Sequence, residues 1–261
     1  MLLPGHAGGE VYQRWAQPKG VGAIYFSQRR SPGTVKKRIK DIRSSENCYS
    51  PIESKLKLTR EILKLVLEAG HEVRIQTRSA LVERDFDILE SYSDQVLLGS
   101  SLPYLDDKLA RVLEPGATSP SRRLTMLERA AARGISVYVA IAPVMPFHHL
   151  PTVEKVLREV APLKPVEIFS EVLNPMDGNV DMMNEALVKA GRKERVSEFY
   201  RSQHWVRWTY EYLYNAYLMA RSLRCNFICW PSPHSLKDPL SLEEKKWLLK
   251  WLPGQQQVAT S

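Results

Sequence analysis

Polar side chains stand at the carboxyl-terminal ends of several apolar segments in this sequence. Ser27 ends GAIYFS, Arg78 lies in a Thr-Arg-Ser triplet after HEVRIQ, and Ser100 and Ser101 end DQVLLGSS. If these segments are parallel strands of an α/β barrel, their carboxyl ends meet at the edge where such barrels carry their active sites. We therefore expect these four residues to lie together at that edge.

Cysteine and histidine are the other residues that could carry chemistry. Cys225 and Cys229 have the spacing of a cluster motif, but Ser232 stands at its third position. Two thiolates seldom hold an iron–sulfur cluster, so a buried strand with apolar thiols is the preferred interpretation. The adjacent His148 and His149 lack further ligands at metal-binding spacing, so no metal site is predicted. Three cysteines cannot all pair with one another, which favours a reducing, cytoplasmic location.

The elements that must position these residues alternate between strand and helix patterns. Each helix-like segment separates two strand-like segments, which indicates right-handed crossovers and a parallel sheet in an α/β fold. The predicted strands are 22–27, 71–79, 94–101, 135–146 and 166–174, and the predicted helices are 54–70, 80–92, 122–134 and 152–161. The predicted organisation is an irregular segment at 1–20, an α/β domain at 21–175 and a mostly helical extension at 176–261.

The charge and the aromatic residues leave two interpretations open. A net charge of +8 and a pI near 9.3 favour a polyanionic partner such as nucleic acid. A surplus of charge spread over solvated helix faces is the slightly preferred alternative. The aromatic residues of 196–224 could form a stacking surface for nucleic acid, although helical spacing favours packing between helices. The sequence contains no run of 18 apolar residues and no secretory signal pattern, so no membrane partner is expected.

Five short motifs then follow one another along the chain, and together they resemble one superfamily. The order resembles that of the radical S-adenosylmethionine (SAM) superfamily, in the branch of spore photoproduct lyase-like and DNA repair photolyase-like proteins. The resemblance covers roughly residues 21–175. The motifs are NCYSPIE (47–53), LTR (58–60), TRS with RD (77–79 and 84–85), LEPGATSPSRRL (113–124) and APVMP (142–146).

The resemblance implies a fold, two cofactors and a reaction class. The fold would be a partial (β/α) barrel with a C-terminal helical extension. A [4Fe–4S] cluster held by three cysteines would reduce S-adenosylmethionine to a radical that abstracts hydrogen from a substrate, which could be nucleic acid. No Cys-x3-Cys-x2-Cys motif precedes GAIYFS, so the first β/α unit is expected to be missing. A partner chain or a further N-terminal segment would then carry the cluster, and whether this chain alone is an enzyme stays open.

The resemblance also implies which residues bind the cofactor. Arg78 stands where the family has lysine, and its guanidinium would contact the carboxylate of S-adenosylmethionine. The complete cofactor-binding set would be Ser27, Arg78, Ser100, Ser101, Glu114 and Arg123. Two alternatives to a catalytic protein are a non-catalytic basic barrel that binds nucleic acid and a structural remnant without a ligand.

Three of the motif residues have two interpretations each. Glu114 and Arg123 would lie near the cofactor or the substrate, or Glu114 would form a structural ion pair with Arg122 or Arg123. Cys48 and Tyr49 are the catalytic candidates. Cys48 would be a hydrogen-atom donor or an ordinary thiol, and the ordinary thiol is preferred.

Overall fold

The computed structural model describes residues 23–28, 48–147, 150–173, 178–192, 204–231, 236 and 239–252, with the backbone alone for 23–28. The predicted basic segment 29–47, His148, His149 and Ser232 lie outside these residues. The strands of the described chain form one sheet in sequence order. They are β1 (Ala23–Gln28), β2 (His71–Gln76), β3 (Val96–Ser101), β4 (Ser136–Val144), β5 (Glu167–Val172) and β6 (Phe227–Trp230).

Helices follow most of the strands, which confirms the α/β fold class. The predicted helix 54–70 is two helices, because Lys57 adopts a left-handed conformation with φ of 56° between them. The helices are α1 (Glu53–Leu56), α2 (Leu58–Glu68), α3 (Phe86–Ser91), α4 (Asp107–Leu113), α5 (Pro120–Ala132), α6 (Leu150–Val160), α7 (Asn179–Lys189), α8 (His204–Ser222) and α9 (Leu242–Leu249), with 3₁₀ helices at Ala80–Asp85 and Ala161–Leu163.

The direction of β1 corrects the sequence analysis. β2 pairs in parallel with β3, and β5 pairs in parallel with β6. β1, however, pairs antiparallel with β2, so the expectation that all five predicted strands are parallel is wrong for the first one. The partial barrel is therefore built on the parallel strands β2 to β6, and β1 lies at the edge of the sheet.

The chain divides into two compact units. The first comprises residues up to Ser101 together with 122–138, and the second comprises 102–121 together with 139–261. In the first unit, α2 is amphipathic and buries Thr59, Leu63 and Leu67. All six residues of β3 are buried, which is the pattern of a strand covered on both faces.

The second unit has its own core. Tyr104, Leu109, Met145, Leu173 and Leu187 belong to one buried cluster that joins α4 and α7 to the ends of β4 and β5. β6 lies beyond the predicted domain boundary at residue 175 and yet pairs with β5. The predicted helical extension therefore also supplies a strand of the sheet. Among the described residues, no helix is long and apolar enough to cross a membrane.

Candidate functional site

Hydrogen bonds join the carboxyl-terminal ends of β2 and β3 in the first unit. The backbone N–H of Thr77 donates to the carbonyl of Gly99 over 3.1 Å. The hydroxyl of Ser100 donates to the carbonyl of Thr77 over 2.6 Å, and both residues are fully buried. The Ser100 side chain therefore holds two strand ends together. That Ser100 also binds a cofactor stays a prediction.

Arg78 lies between two residues whose conformations are fixed by hydrogen bonds. The N–H of Ser79 donates to the Thr77 hydroxyl over 3.0 Å, and the Ser79 hydroxyl accepts from the N–H of Leu81 over 3.3 Å. The second bond caps the 3₁₀ helix Ala80–Asp85. The half-buried Arg78 is thus held at the carboxyl-terminal end of β2, beside the end of β3. A guanidinium in that position can bind a carboxylate or a phosphate.

Arg123 and Ser101 contact each other at the same edge. The Arg123 side chain is fully buried on α5, and its Nη1 donates to the carbonyl of Ser101 over 2.7 Å. The hydrogen bond fixes α5 to the end of β3. The structure therefore brings Arg78, Ser100 and Ser101 to one edge, where Arg123 contacts Ser101, and the role of these residues in binding a cofactor stays a prediction.

Ser27 does not lie at that edge. In the antiparallel register its backbone pairs with Glu72, near the start of β2, whereas Arg78 follows the end of β2. The expectation that Ser27 joins the other three residues is therefore wrong, and the reason is the reversed direction of β1. The proposal below does not use Ser27.

A buried charged cluster on the sheet was missed by the sequence analysis. Glu72 and Arg74 are buried on β2, and the Arg74 guanidinium lies 3.7 Å from the centre of the Tyr138 ring. The Tyr138 ring fills the space above Gly99, where an added Cβ would lie 2.2 Å from ring carbons. The signal was present in HEVRIQ, because two charged residues alternate with Val73 and Ile75 in a strand with buried neighbours. Burial of such charges costs free energy unless they are paired, so they mark residues of functional or structural networks.

The motif residues Arg60, Arg84 and Asp85 form an ion-pair network under this edge. Asp85 is fully buried and accepts two hydrogen bonds from Arg84, over 2.8 Å from Nε and 2.9 Å from Nη2. Arg60 donates to the same carboxylate over 3.2 Å and also to the exposed Asp87 over 2.7 and 2.5 Å. The hydrogen bonds from Arg60 lower the pKa of Asp87 from 3.8 to about 2. Residues far apart in sequence thus fix α2 to the Ala80–Asp85 helix and α3.

The first motif is bound into the same network. Arg84 donates through Nη1 to the carbonyl of Glu53. The Glu53 carboxylate accepts from the N–H of Thr59 over 3.0 Å, and the Thr59 hydroxyl donates to the carbonyl of Cys48 over 2.5 Å. Glu53 and Thr59 are both buried. These contacts explain the residue types of Glu53 and Thr59 as structural contributions to the first unit.

The environment of Cys48 and Tyr49 determines their protonation. Burial raises the pKa of the Cys48 thiol from 9.0 to about 12, and the Glu53 carboxylate adds to the shift. Burial and the nearby Asp85 carboxylate raise the pKa of Tyr49 well above 10. Cys48 is therefore a neutral thiol at physiological pH, which makes it a poor metal ligand or nucleophile. A hydrogen-atom donor needs no thiolate, so the catalytic role of Cys48 and Tyr49 stays a prediction.

Glu114 and Arg122 each have a defined partner within their own unit. In the second unit, the Tyr104 hydroxyl donates to the Glu114 carboxylate over 2.8 Å. In the first unit, Arg122 forms a two-pronged ion pair with Glu83, including a 2.7 Å bond from Nη1 to Oε1. The Arg122 hydrogen bonds lower the pKa of Glu83. A structural ion pair of Arg122 is therefore present, with Glu83 as the acceptor.

The cysteines do not form a cluster site among the described residues. Cys48 belongs to the first unit, and Cys225 and Cys229 belong to the second. Cys229 is fully buried on β6, and burial raises the pKa of its thiol. The interpretation of Cys229 as a buried apolar thiol is confirmed. In the described part of the chain, no group of three His, Cys, Asp or Glu side chains could hold a metal ion, so these residues do not fit a [4Fe–4S] cluster.

The aromatic residues of α8 pack against α9 in the second unit. Trp247 contacts the rings of Tyr210, Tyr214 and Tyr217 at centroid distances of 5.8, 5.3 and 5.9 Å. Trp251 contacts Tyr217 at 5.5 Å. Edge-to-face contacts of this kind stabilise helix packing. The preferred interpretation of these aromatic residues as packing residues is confirmed.

Comparison with known proteins gives relatives that cover part of the chain. No protein-family model matches. The chain is 35% identical over 134 residues to uncharacterized protein ORF301 of Acidianus two-tailed virus, a match that covers 49% of this chain and 44% of that protein. It is 34% identical over 131 residues to uncharacterized protein MJ0683 of Methanocaldococcus jannaschii, covering 50% and 49%. The chain therefore spans less than half the length of these curated relatives.

Among solved structures, one match is Streptococcus suis SuiB bound to S-adenosylmethionine. The identity is 15% and the TM-score 0.47, over 73% of this chain and 40% of SuiB. A second SuiB structure gives 14% and 0.46. A likeness at this level assigns no function to this chain.

Proposed function

We propose that this chain binds S-adenosylmethionine at the carboxyl-terminal ends of β2 and β3. It would do so as part of a radical S-adenosylmethionine protein of the spore photoproduct lyase-like branch. One observation carries the proposal. Motif segments 48–53, 58–60 and 84–85 are joined by one hydrogen-bond network in the first unit, and the Thr-Arg-Ser triplet is held at the sheet edge by separate bonds to Gly99, Ser100 and Leu81.

Arg78 is the residue on which binding would depend most. Its backbone is fixed at the carboxyl-terminal end of β2 by the bonds of Thr77 and Ser79. A carboxylate of S-adenosylmethionine would accept charge-assisted hydrogen bonds from its guanidinium. The fully buried Ser100 donates its hydroxyl to the Thr77 carbonyl and would support the site by holding the two strand ends together. The site would thus select a ligand that carries a carboxylate.

Radical chemistry would require a cluster from another source. The described residues do not fit one, because they contain no group of three His, Cys, Asp or Glu side chains that could hold a metal ion and burial raises the pKa of all three thiols. When bound, a [4Fe–4S] cluster supplies the electron that cleaves S-adenosylmethionine. Its ligands would come from a partner chain or from a further segment of a longer polypeptide. The substrate would be nucleic acid, in keeping with the net charge of +8.

Calorimetric titration with S-adenosylmethionine tests the binding proposal directly. We expect binding by the wild type, loss of binding by Arg78→Ala, and retained binding by Arg78→Lys, which keeps the charge. Arg133→Ala is the matched control, since it removes the same charge at the start of β4, at the other end of the sheet. Equal binding by wild type and Arg78→Ala would contradict the assignment, and no heat with the wild type would refute the proposal.

The alternative proposal is a non-catalytic barrel that binds nucleic acid. The net charge of +8 is the observation that favours it. Fluorescence anisotropy with single- and double-stranded oligonucleotides tests it, because binding through phosphates weakens steeply as salt rises. Absence of binding, or binding that does not change with salt, would dismiss this alternative.

A further inference from the structure

The first two helices carry an exposed apolar surface. Leu58, Ile62 and Leu65 follow one another at helical spacing on one face of α2, and the exposed Ile52 and Leu56 precede the helix. We call these five residues the apolar stripe. Their exposed fractions are 59% for Ile52, 53% for Leu56, 56% for Leu58, 47% for Ile62 and 68% for Leu65. Contiguous apolar surface of this kind marks an interaction site.

The other faces of α2 already have partners in the first unit. Thr59, Leu63 and Leu67 form the buried face of the helix. One flank carries Arg60, which is bonded to Asp85 and Asp87. At 100° per residue, the apolar stripe lies on the opposite flank. The stripe is therefore not needed for the core of the unit and is available to another molecule.

A ridge of alternating charge runs beside the stripe. Glu61, Lys64 and Glu68 follow one another at spacings of three and four residues, so they lie along one line of the helix surface, and Lys57 precedes the helix at its N-cap. Glu61 and Lys64 form an exposed ion pair over 3.3 Å. An antiparallel second copy of α2 presents the same four charges in reverse order. Lys57 then faces Glu68 of the second copy, and Glu61 faces its Lys64.

We propose that this chain forms a two-fold symmetric dimer through the apolar stripe, with two α2 helices packed antiparallel. A two-fold interface joins the same surface of both copies, so the surface must be complementary to itself. An apolar stripe is complementary to itself, and the alternating ridge is complementary only when the two helices are antiparallel. An apolar centre with a charged rim is also the usual composition of homodimer interfaces. The dimer does not depend on the proposed cofactor site.

Light scattering after size-exclusion chromatography measures the assembly. We expect a wild-type mass twice the 29.9 kDa of one chain. Leu65→Glu should give the mass of one chain, because it places a charge within the apolar interface. Leu242→Glu is the matched control, since Leu242 is 69% exposed on the second unit and should leave the dimer intact. Circular dichroism checks that each variant is folded.

Charge exchange tests the antiparallel arrangement. Lys57→Glu and Glu68→Lys should each raise the dissociation constant of the homodimer by about tenfold or more, because like charges then face each other. A mixture of the two single variants, or the double variant, restores opposite charges and should restore the dimer. A monomeric wild type would overturn the proposal and leave the stripe to a different polypeptide. A dimer that persists in Leu65→Glu would also overturn it, and failure of the mixture to associate would refute the antiparallel pairing.

Discussion

The buried Asp85 carboxylate gives the strongest stability prediction of the structure. It accepts two hydrogen bonds from Arg84 and one from Arg60, and it is fully buried. Removing one partner of a buried ion pair costs about 3–5 kcal/mol. Both arginines keep about a fifth of their side-chain surface exposed, which lets water partly replace the lost carboxylate. We therefore expect Asp85→Asn to lower the free energy of unfolding by about 3 kcal/mol, at the lower end of that range.

Asp87→Asn is the matched control for this prediction. Asp87 also accepts hydrogen bonds from Arg60, but its side chain is 61% exposed. Exposed ion pairs contribute roughly 0–1 kcal/mol, so the cost should be within that range. The difference in cost between the two variants therefore isolates the effect of burial, because the residue type, the substitution and one arginine partner are the same.

Urea unfolding followed by far-UV circular dichroism measures both variants. Five of the six tryptophans belong to the second unit, so tryptophan fluorescence reports mainly that unit. If the two units unfold separately, the Asp85→Asn effect should be larger in circular dichroism than in tryptophan fluorescence. A cost for Asp85→Asn no larger than that for Asp87→Asn would refute the assignment of Asp85 as the centre of the network.

Three further predictions follow from the contacts and pKa shifts. Iodoacetamide at pH 8 should label Cys225 well before Cys48, since burial raises the Cys48 pKa to about 12; equal rates by mass spectrometry would contradict this. Gly99→Ala should lower the free energy of unfolding by about 3 kcal/mol, because the added Cβ would meet the Tyr138 ring. In a double-mutant cycle, Gly99→Ala combined with Tyr138→Ala should cost less than the sum of the two single changes. Folding lowers the Asp87 pKa from 3.8 to about 2, so the contribution of Asp87 to stability is present above pH 3.8 and lost toward pH 2. In urea titrations, the free energy of unfolding of Asp87→Asn should therefore change less with pH across that window than that of the wild type.

The sequence predicted the elements better than their directions. Periodicity located β2 to β5 and the helices between them, because burial on one or both faces imposes a period on the residues. The direction of β1 could not be predicted, since a strand pattern reads the same in either orientation. α4 was also missed, although Asp106 caps it by accepting from the N–H groups of Lys108 and Leu109. Its seven residues lie before a Pro-Gly turn and are too short to show a clear period.

The candidate site was predicted in part for a related reason. Arg78, Ser100 and Ser101 were found because the ends of parallel strands must meet at one edge. The partners of Asp85 could not be found, because Arg60 lies 25 residues away and its hydrogen bond depends on how α2 packs. Glu72 and Arg74 were missed because a strand in which charged and apolar residues alternate is also typical of a strand with one exposed face. Spacing thus predicts contacts within an element, while contacts between elements require the fold.

The structure separates the motif residues into two kinds, and this changes what the motifs can prove. Glu53, Thr59, Arg60, Arg84 and Asp85 bind one another or the backbone, so a chain that only needs to fold would keep them. Their presence indicates the fold more strongly than it indicates catalysis. Arg78 lies instead in the loop at the sheet edge, where the bonds of Thr77 and Ser79 fix the backbone. The arginine-to-alanine exchange at position 78 is therefore more informative about function than any change in the network, where a loss of binding could follow from unfolding alone.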